Sequence, residues 1–280
     1  NGERFLAGTL DALLAQSIGD FELVLADNAS TDGTEEICRD YATRDRRIVY
    51  RRSSENRGAA WNFNRAFALA SGDLFKWSAA DDLCEPTFLA ECVSALDAAP
   101  DAVLAYPKSR LIDEDGAPIR NHEDGLELRD GTPHARLRRL VPALGYTHPV
   151  YGVIRSNALR RTRLLGTYPS ADYVLLAELA LLGGFVEVPS RLFVRRIHPG
   201  MSRLVNPAAA AAAEWFQPQS RPGRYRAEFS RLCFEHVVSI CRAPVAPLER
   251  ARCLLAFAHV GGRRYAHHLA RELRGLVIGR

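Results

Sequence analysis

Three signals are missing from these 280 residues, and each absence excludes a class of protein. No apolar run is long enough to span a bilayer, which argues against a membrane bundle. No G-x-G-x-x-G or P-loop segment follows a candidate strand, which argues against an NAD-dependent dehydrogenase and a P-loop enzyme. No signal peptide is visible, so we expect a cytoplasmic protein, with peripheral contact at the inner membrane face as an open alternative.

The cysteines are not spaced as in a disulfide framework or a zinc site. The six cysteines form no C-x-x-C pair and fall mostly within helical patterns, so we predict buried thiols in a reducing cytoplasm rather than a disulfide framework or a zinc site. The net charge is only +4 and almost all basic residues are arginine. That balance does not indicate nucleic acid, although arginine suits phosphate and carboxylate groups.

The first 105 residues alternate between helical and strand patterns, which predicts a mostly parallel sheet with right-handed crossovers. Asp32 and Glu35 have the spacing of a capping box before a helix at about 34–42. Because a helix opens the chain, we expect a first strand upstream of Asn1. The predicted strands are 21–26, 47–51, 73–78 and "AVLAYP", and the predicted helices are "ERFLAGTLDALLAQS", 34–42, "AAWNFNRAFALA" and "PTFLAECVSALDAA".

After residue 105 the alternation stops. "RLIDEDGAPI" predicts a hairpin with a D-G turn, and "DYVLLAELALLGG" predicts a helix followed by two short strands, "FVEVPS" and "RLFVRRIH". "NPAAAAAAEWF" is a linker or an Ala-rich helix, and Arg-rich helices follow it. We therefore predict one domain with two halves, 1–105 and 106–205, and a helical C-terminal appendage, 206–280.

Polar loops follow three of the predicted strands. They read "DNASTDGT", "RSSENRGAAWN" and "AADD", and ligands of open parallel sheets collect at this edge. Turns and helix caps explain each loop taken singly. Asp81 and Asp82, however, are adjacent carboxylates that repel each other, and a divalent cation removes that penalty. The alternative is one capping and one solvated side chain.

An ordered set of segments resembles the inverting family-2 glycosyltransferases of the GT-A nucleotide-sugar fold. The likeness runs from residue 1 to about 202. It implies an α/β fold with flanking helices and transfer of a sugar from a nucleoside diphosphate, UDP above all, to a hydroxyl acceptor. The segments are "NGERFL", "DFELVLADNASTDGTEEI", "NRGAAWNFNRA", "ASGD", "ADDLCEP", "DYVLLAELALLGGF" and "RRIHPGMS".

The resemblance assigns donor-binding residues to the strand ends. Asp27 would bind the base at the end of its strand, and Asp81 would face the diphosphate. The remaining members line the base and ribose pocket: Asn28, Ser30, Arg57, Gly58 and Asn62.

The resemblance also implies a site for Mn²⁺ or Mg²⁺. The family's acidic motif reads Asp-x-Asp-Asp, and the residues here are Ala79, Ala80, Asp81 and Asp82, so the first Asp is absent. Asp81 and Asp82 would hold the ion on the diphosphate, with His198 as a further ligand. A structural role is the alternative for His198.

Asp172 occupies the position of the family's catalytic base, which takes the proton of the acceptor hydroxyl. A helix N-cap is the alternative. Glu178, further along that helix, is predicted to be a structural ion-pair partner. His148, Tyr151 and Arg155 are expected on the acceptor side or, alternatively, in the core.

The sequence thus predicts a metal-dependent inverting glycosyltransferase of cell-surface polysaccharide or glycan assembly, with a carbohydrate or lipid-linked acceptor. The alternative is a non-catalytic nucleotide-sugar-binding or scaffold protein of the same fold, which Ala79 favours. A sugar nucleotidyltransferase would need a Gly-rich loop near its first strand. The Arg-rich C-terminal region suits an anionic membrane surface, a homodimer contact or a solvated helix face.

Overall fold

The computed structural model describes residues 1–201 and 228–278, with side chains to 274. The predicted Ala-rich segment lies outside these ranges. The strands are β1 Leu23–Asp27, β2 Ile48–Arg52, β3 Leu74–Phe75, β4 Leu83–Cys84, β5 Ala102–Ile112, β6 Pro118–His122, β7 Val153–Arg155 and β8 Gly184–Arg196. The helices are α1 Glu3–Leu14, α2 Thr34–Arg44, α3 Ala59–Leu69, α4 Phe88–Asp97, α5 Pro133–Ala143, the 3₁₀ helix η1 His148–Tyr151, α6 Ser156–Leu159, α7 Ala171–Leu182, α8 Glu228–Arg242 and α9 Pro247–Ile278.

The strands form two sheets: β1 and β2 pair with each other, and a six-stranded sheet has the order β3-β7-β5-β8-β4 with β6 beside β5. The two longest ladders, β1·β2 and β5·β8, are parallel, in agreement with the predicted crossovers. The shorter pairs β3·β7, β5·β7, β4·β8 and β5·β6 are antiparallel, and the alternation pattern did not predict them. The predicted α/β architecture with flanking helices is confirmed, and antiparallel strands are added to it.

Individual strands depart from the prediction in two places. Only Leu74 and Phe75 of the predicted strand 73–78 pair, because Trp77 turns into the core and its indole N–H donates to the Phe63 carbonyl at 2.8 Å. The two short strands predicted after α7 are one strand, β8. The predicted hairpin is confirmed as β5 and β6, with Gly116 in the left-handed region at φ +92°.

The predicted capping box before α2 is wrong. The Glu35 carboxylate does not reach back to the helix start, because it pairs with Arg39 and Arg52. Asp32 instead accepts hydrogen bonds from the backbone N–H groups of Thr34 and Glu3, both at 3.2 Å. The Asp32 side chain therefore satisfies backbone N–H groups at the beginnings of both α1 and α2.

The core follows from the apolar pattern of each helix. Leu6, Leu10 and Leu13 lie on one face of α1 and are buried. Helix α7 is apolar on all sides and nearly every residue in it is buried, so it occupies the centre. Four cysteines are buried as predicted, but Cys241 is exposed, and all six thiols are free.

Helices α8 and α9 pack on α5 and α7 rather than standing apart. Their buried side chains, among them Leu232 and Phe257, belong to the same hydrophobic cluster as α7. The Arg163 Nε atom donates to Glu178 Oε1 at 2.7 Å, and its Nη1 lies 2.5 Å from Glu235 Oε2 on α8. The prediction of Glu178 as a structural ion-pair partner is therefore confirmed. Over the two described ranges, no helix is both long and apolar enough to cross a bilayer.

Candidate active site

Asp27 ends β1 with its carboxylate buried. The Tyr50 hydroxyl donates to Oδ2 at 2.8 Å, the Ser30 backbone N–H donates to Oδ1 at 2.9 Å, and Arg52 Nε lies 3.2 Å from Oδ2. Burial alone would raise the pKa of Asp27, but these hydrogen bonds and the Arg52 charge outweigh it and hold the pKa below its usual value. Asp27 is thus an ionised anchor for its loop, and its base contact stays a prediction.

Asn28 joins the loop after β1 to the loop after β2. Its Nδ2 donates to Asn56 Oδ1 at 2.8 Å and to the Gly58 carbonyl at 3.2 Å, while its Oδ1 accepts from the Arg57 backbone N–H at 3.0 Å. Gly58 has φ +86°, which favours glycine at the start of α3. The structure therefore brings the loops after β1 and β2 together, as the strand-end rule predicted, and the donor-binding role of Asn28, Arg57 and Gly58 stays a prediction.

Three more contacts complete this part of the site. Asn62 Nδ2 donates to the Ala26 carbonyl at 2.7 Å, whereas its buried Oδ1 has no hydrogen-bond partner among the described residues. The Ser30 carbonyl accepts from Arg52 at 2.8 Å. The Arg57 guanidinium stacks on the Trp61 ring at 4.5 Å. Asn62 and Ser30 thus border the same loop junction.

The adjacent carboxylates Asp81 and Asp82 have different surroundings. Asp81 is partly exposed, and its Oδ2 lies 2.9 Å from His198 Nε2. Asp82 is 4% exposed, and its Oδ1 accepts the Arg196 backbone N–H of β8 at 3.0 Å. Burial, and then the charge of Asp81, raise the pKa of Asp82 to about 6. The geometry therefore favours Asp81 over Asp82 as a ligand that a cation can reach.

Helix α1 links this acidic loop to the loop after β1. The Thr9 hydroxyl lies 3.0 Å from the carbonyls of both Ala80 and Asp82. At the start of α1, the Gly2 N–H donates to Thr34 Oγ1 at 2.7 Å, and the Phe5 ring packs 4.8 Å from the His198 ring. The two loops are therefore held on one element, although they end strands of different sheets.

Asp172 lies in the first turn of α7, but the N-cap residue is Ser170, so the N-cap alternative for Asp172 is wrong. Its Oδ2 accepts a hydrogen bond from the Thr147 hydroxyl, and its Oδ1 accepts the Tyr173 backbone N–H at 3.1 Å. Thr147 itself is in the left-handed region at φ +58°. Thr147 therefore helps to orient a carboxylate whose other oxygen bonds to a backbone N–H in the first turn of α7.

The pKa of the Tyr151 hydroxyl depends on burial and on the charges of four other residues. Burial raises its pKa; the charge of Arg195 lowers it, and the charges of Asp82, Asp81 and Asp172 raise it further. Three carboxylates from two distant segments thus act on one hydroxyl. The predicted strand-end acids and the predicted base share an electrostatic environment.

The other two predicted acceptor-side residues are engaged by the protein. The guanidinium of Arg155 donates to the carbonyls of Ala102 and Leu96, each at 2.8 Å, which favours the packing alternative for this residue. His148 is 2% exposed and lies 2.8 Å from the Ser109 hydroxyl.

Several residues that support the site were not predicted from the sequence. Tyr50 and Arg52 hold Asp27, Thr147 holds Asp172, and the Arg196 backbone holds Asp82. Tyr50 and Arg52 are two residues apart on β2 and so share one face, a strand pattern that was available in the sequence. No comparable sequence pattern predicted the contacts of Thr147 and Arg196.

Comparison with known proteins identifies relatives over much of the chain. Residues 1–165 match the model of glycosyl transferase family 2. EpsE of Bacillus subtilis, which carries a provisional glycosyltransferase name, is 37% identical over 98 residues. That match covers 35% of this chain and 35% of EpsE, so the shared part spans about a third of that relative.

Solved structures of low identity share the fold. S. aureus TarS 1–349 in complex with UDP has a TM-score of 0.68 at 16% identity, over 95% of this chain and 69% of TarS. The mannosyltransferase PcManGT from Pyrobaculum calidifontis, in complex with GDP-Man and Mn²⁺, has a TM-score of 0.55 at 19% identity, over all of this chain and 76% of that protein.

Proposed function

The chain belongs to glycosyltransferase family 2, and from that premise we propose that it transfers a sugar, with inversion, from a UDP-linked donor to a hydroxyl acceptor in cell-surface polysaccharide or glycan assembly. The reaction depends on a divalent cation. The observation that carries the proposal is the contact of Asp81 Oδ2 with His198 Nε2 at 2.9 Å, and it is supported by the charges of Asp81, Asp82 and Asp172, which all raise the pKa of Tyr151.

The donor binds along the loops that Asn28 joins. Asp27, ionised and held by Tyr50 and Arg52, presents a fixed acceptor to a base N–H. Gly58 lets the backbone approach the ribose because it has no side chain. The choice of uridine is supported by the UDP complex of TarS, a protein of similar fold.

The residues present fit a divalent cation. Asp81 Oδ2 and His198 Nε2, 2.9 Å apart, supply an oxygen and a nitrogen ligand from a partly exposed position. Mg²⁺ and Mn²⁺ sites of this kind use one or two carboxylates, with substrate phosphates completing the shell. When bound, the ion is a Lewis acid that neutralises charge on the departing diphosphate.

Asp172 acts as the general base. The acceptor hydroxyl oxygen forms a bond to the anomeric carbon while the bond from that carbon to the diphosphate oxygen breaks, and the hydroxyl proton passes to Asp172. The Thr147 hydroxyl, which donates to Asp172 Oδ2, orients the carboxylate for this transfer.

Asp172→Asn tests the proposal. General-base removal costs about 10²–10⁴-fold in rate, so we expect donor consumption to fall by that factor while Mn²⁺-dependent UDP binding stays unchanged. UDP release in the presence of acceptor and calorimetric UDP binding measure the two quantities.

Asp97→Asn, an exposed carboxylate at the end of α4, is the matched control and keeps wild-type turnover. Normal turnover by Asp172→Asn would overturn the base assignment. A wild-type protein that binds UDP but consumes no donor in the presence of a panel of acceptors would favour the non-catalytic alternative.

A further inference from the structure

Two histidines and an aspartate form a cluster apart from the proposed donor site. His122 ends β6, Asp124 follows it, and His148 begins η1. His122 Nε2 lies 3.7 Å from Asp124 Oδ1, and His148 Nδ1 lies 3.2 Å from Asp124 Oδ2. One ligand atom from each residue lies within 4.8 Å of the others. Residues far apart in sequence thus place two imidazoles and a carboxylate together.

The cluster contains a buried polar atom without a hydrogen-bond partner. The His148 side chain is 1% exposed and that of Asp124 is 4% exposed. His148 Nε2 has no hydrogen-bond partner among the described residues, and Asp124 Oδ2 has only the ion-pair contact with His148 Nδ1 at 3.2 Å. Buried polar groups are nearly always satisfied, because leaving one unsatisfied costs free energy. The unsatisfied imidazole nitrogen beside a buried carboxylate indicates that a ligand completes the cluster.

We propose that His122, Asp124 and His148 form a binding site for a transition-metal dication, with Zn²⁺ as the best fit. Zn²⁺ is commonly held by imidazole nitrogens and a carboxylate oxygen in a tetrahedral shell, whereas Mg²⁺ and Ca²⁺ prefer oxygen ligands. Tetrahedral zinc bonds of this type place ligand atoms about 3.3 Å apart, so atoms that lie within 4.8 Å of one another would move closer together on binding.

The surroundings of His148 suit metal binding, because its Nε2 atom is buried and has no hydrogen-bond partner among the described residues. The Ser109 hydroxyl, 2.8 Å from His148 Nδ1, is positioned to orient the ring.

The site links the hairpin to the segment that orients Asp172. His148 follows Thr147, whose hydroxyl donates to Asp172. An ion held between His122, Asp124 and His148 would therefore fix the position of Thr147. The metal site itself does not depend on the proposed transfer reaction.

Titration of chelator-treated full-length protein with ZnCl₂ alone, followed by calorimetry, tests the proposal. We expect one equivalent of tightly bound Zn²⁺. His122→Asn and Asp124→Asn should each weaken it at least about tenfold, the smallest loss usual when even an indirect partner of a metal is removed. Zn²⁺ should also raise the melting temperature of the wild-type protein more than that of Asp124→Asn at the same concentration.

Two control variants separate this site from other histidines. His134 pairs with Glu249 at 2.7 Å and has no third ligand among the described residues, and His259 is exposed on α9. His134→Asn and His259→Asn should bind Zn²⁺ like the wild type, and circular dichroism checks the fold of every variant. Absence of Zn²⁺ binding by the wild type, or equal binding by all variants, would overturn the proposal and leave a hydrogen-bonded His–Asp–His group.

Discussion

The loops around Asn28 and the segments around His148 both bring distant polar side chains together, but by different means. We call the first region the strand-end rim (residues 27–33, 53–58 and 79–82) and the second the η1 corner (residues 122–124 and 147–151). In the rim, Asp27 and Asn28 bond to neighbouring protein groups. In the η1 corner, His148 Nε2 has no hydrogen-bond partner among the described residues, and Asp124 Oδ2 has only the contact with His148 Nδ1 at 3.2 Å.

The two regions differ in whether a bound ligand is needed to satisfy their polar atoms. Protein donors already stabilise the rim, so a donor substrate meets a preformed surface and little ordering is required. The η1 corner carries the cost of unsatisfied polar atoms until a further partner binds. One polar atom near the rim does not follow this description. Asn62 Oδ1 is buried and has no hydrogen-bond partner among the described residues.

The largest loss of stability should come from breaking the ion pairs of Arg163 with Glu178 on α7 and Glu235 on α8. In Arg163→Met the carboxylates of Glu178 and Glu235, whose side chains are 8% and 6% exposed, lose their shared cation. Breaking a buried pair costs about 3–5 kcal/mol, so urea unfolding should show a loss of that size.

Arg52→Met is the matched substitution near the rim. Asp27 keeps its hydrogen bonds from Tyr50 and Ser30, so the expected loss is only about 1–2 kcal/mol. Equal losses from both variants would show that the rim is no better satisfied than the region behind α7.

Substitution of the two adjacent acids of the rim should have different effects. Asp82→Asn should change stability, and Asp81→Asn should change UDP binding. The folded pKa of Asp82, about 6, exceeds its ordinary value of 3.8. Between these pH values the folded chain retains a proton that the unfolded chain has lost, so the Asp82 contribution to stability falls as pH rises from about 4 to 6. Asp82→Asn should remove this slope and raise the unfolding free energy at pH 7 by up to about 2–3 kcal/mol.

Asp81→Asn should instead weaken Mn²⁺-dependent UDP binding at least about tenfold, with little change in stability. Urea unfolding at several pH values and calorimetric UDP binding measure the two effects. If Asp82→Asn loses binding and Asp81→Asn does not, the assignment of the accessible ligand is reversed.

The smallest effect should come from Thr147, which connects the η1 corner to α7. Thr147→Val keeps the branched side chain but removes the hydrogen bond to Asp172, so kcat should fall about tenfold with KM unchanged. Thr147→Ser should restore the rate because it keeps the hydroxyl. A lower melting temperature with unchanged kcat in Thr147→Val would indicate a structural role alone.

Much of the fold was predictable because it depends on local patterns. The apolar face of α1, the continuous apolar run of β1 and the D-G turn after β5 all appear within a few neighbouring residues. The capping box at Asp32 was predicted wrongly, since Arg39 and Arg52 compete for the Glu35 carboxylate and one of them comes from another strand.

The candidate site was predictable only in part. Asp27, Asp81 and Asp172 stand in segments with the order of a known family, so their positions could be named. The partners of these acids could not be named in the same way, because Thr147 and the Arg196 backbone reach them across 25 and 114 residues of chain.

The sequence alone indicated the family, through an ordered set of segments that resemble it. The alternation of helices and strands and the polar loops at the strand ends were predictable because they depend on short-range spacing. Only the tertiary structure decided which carboxylate is buried and which is accessible, and that His122, Asp124 and His148 meet. Burial and pairing depend on what packs against a residue from distant parts of the chain, and the spacing of neighbouring residues does not contain that information.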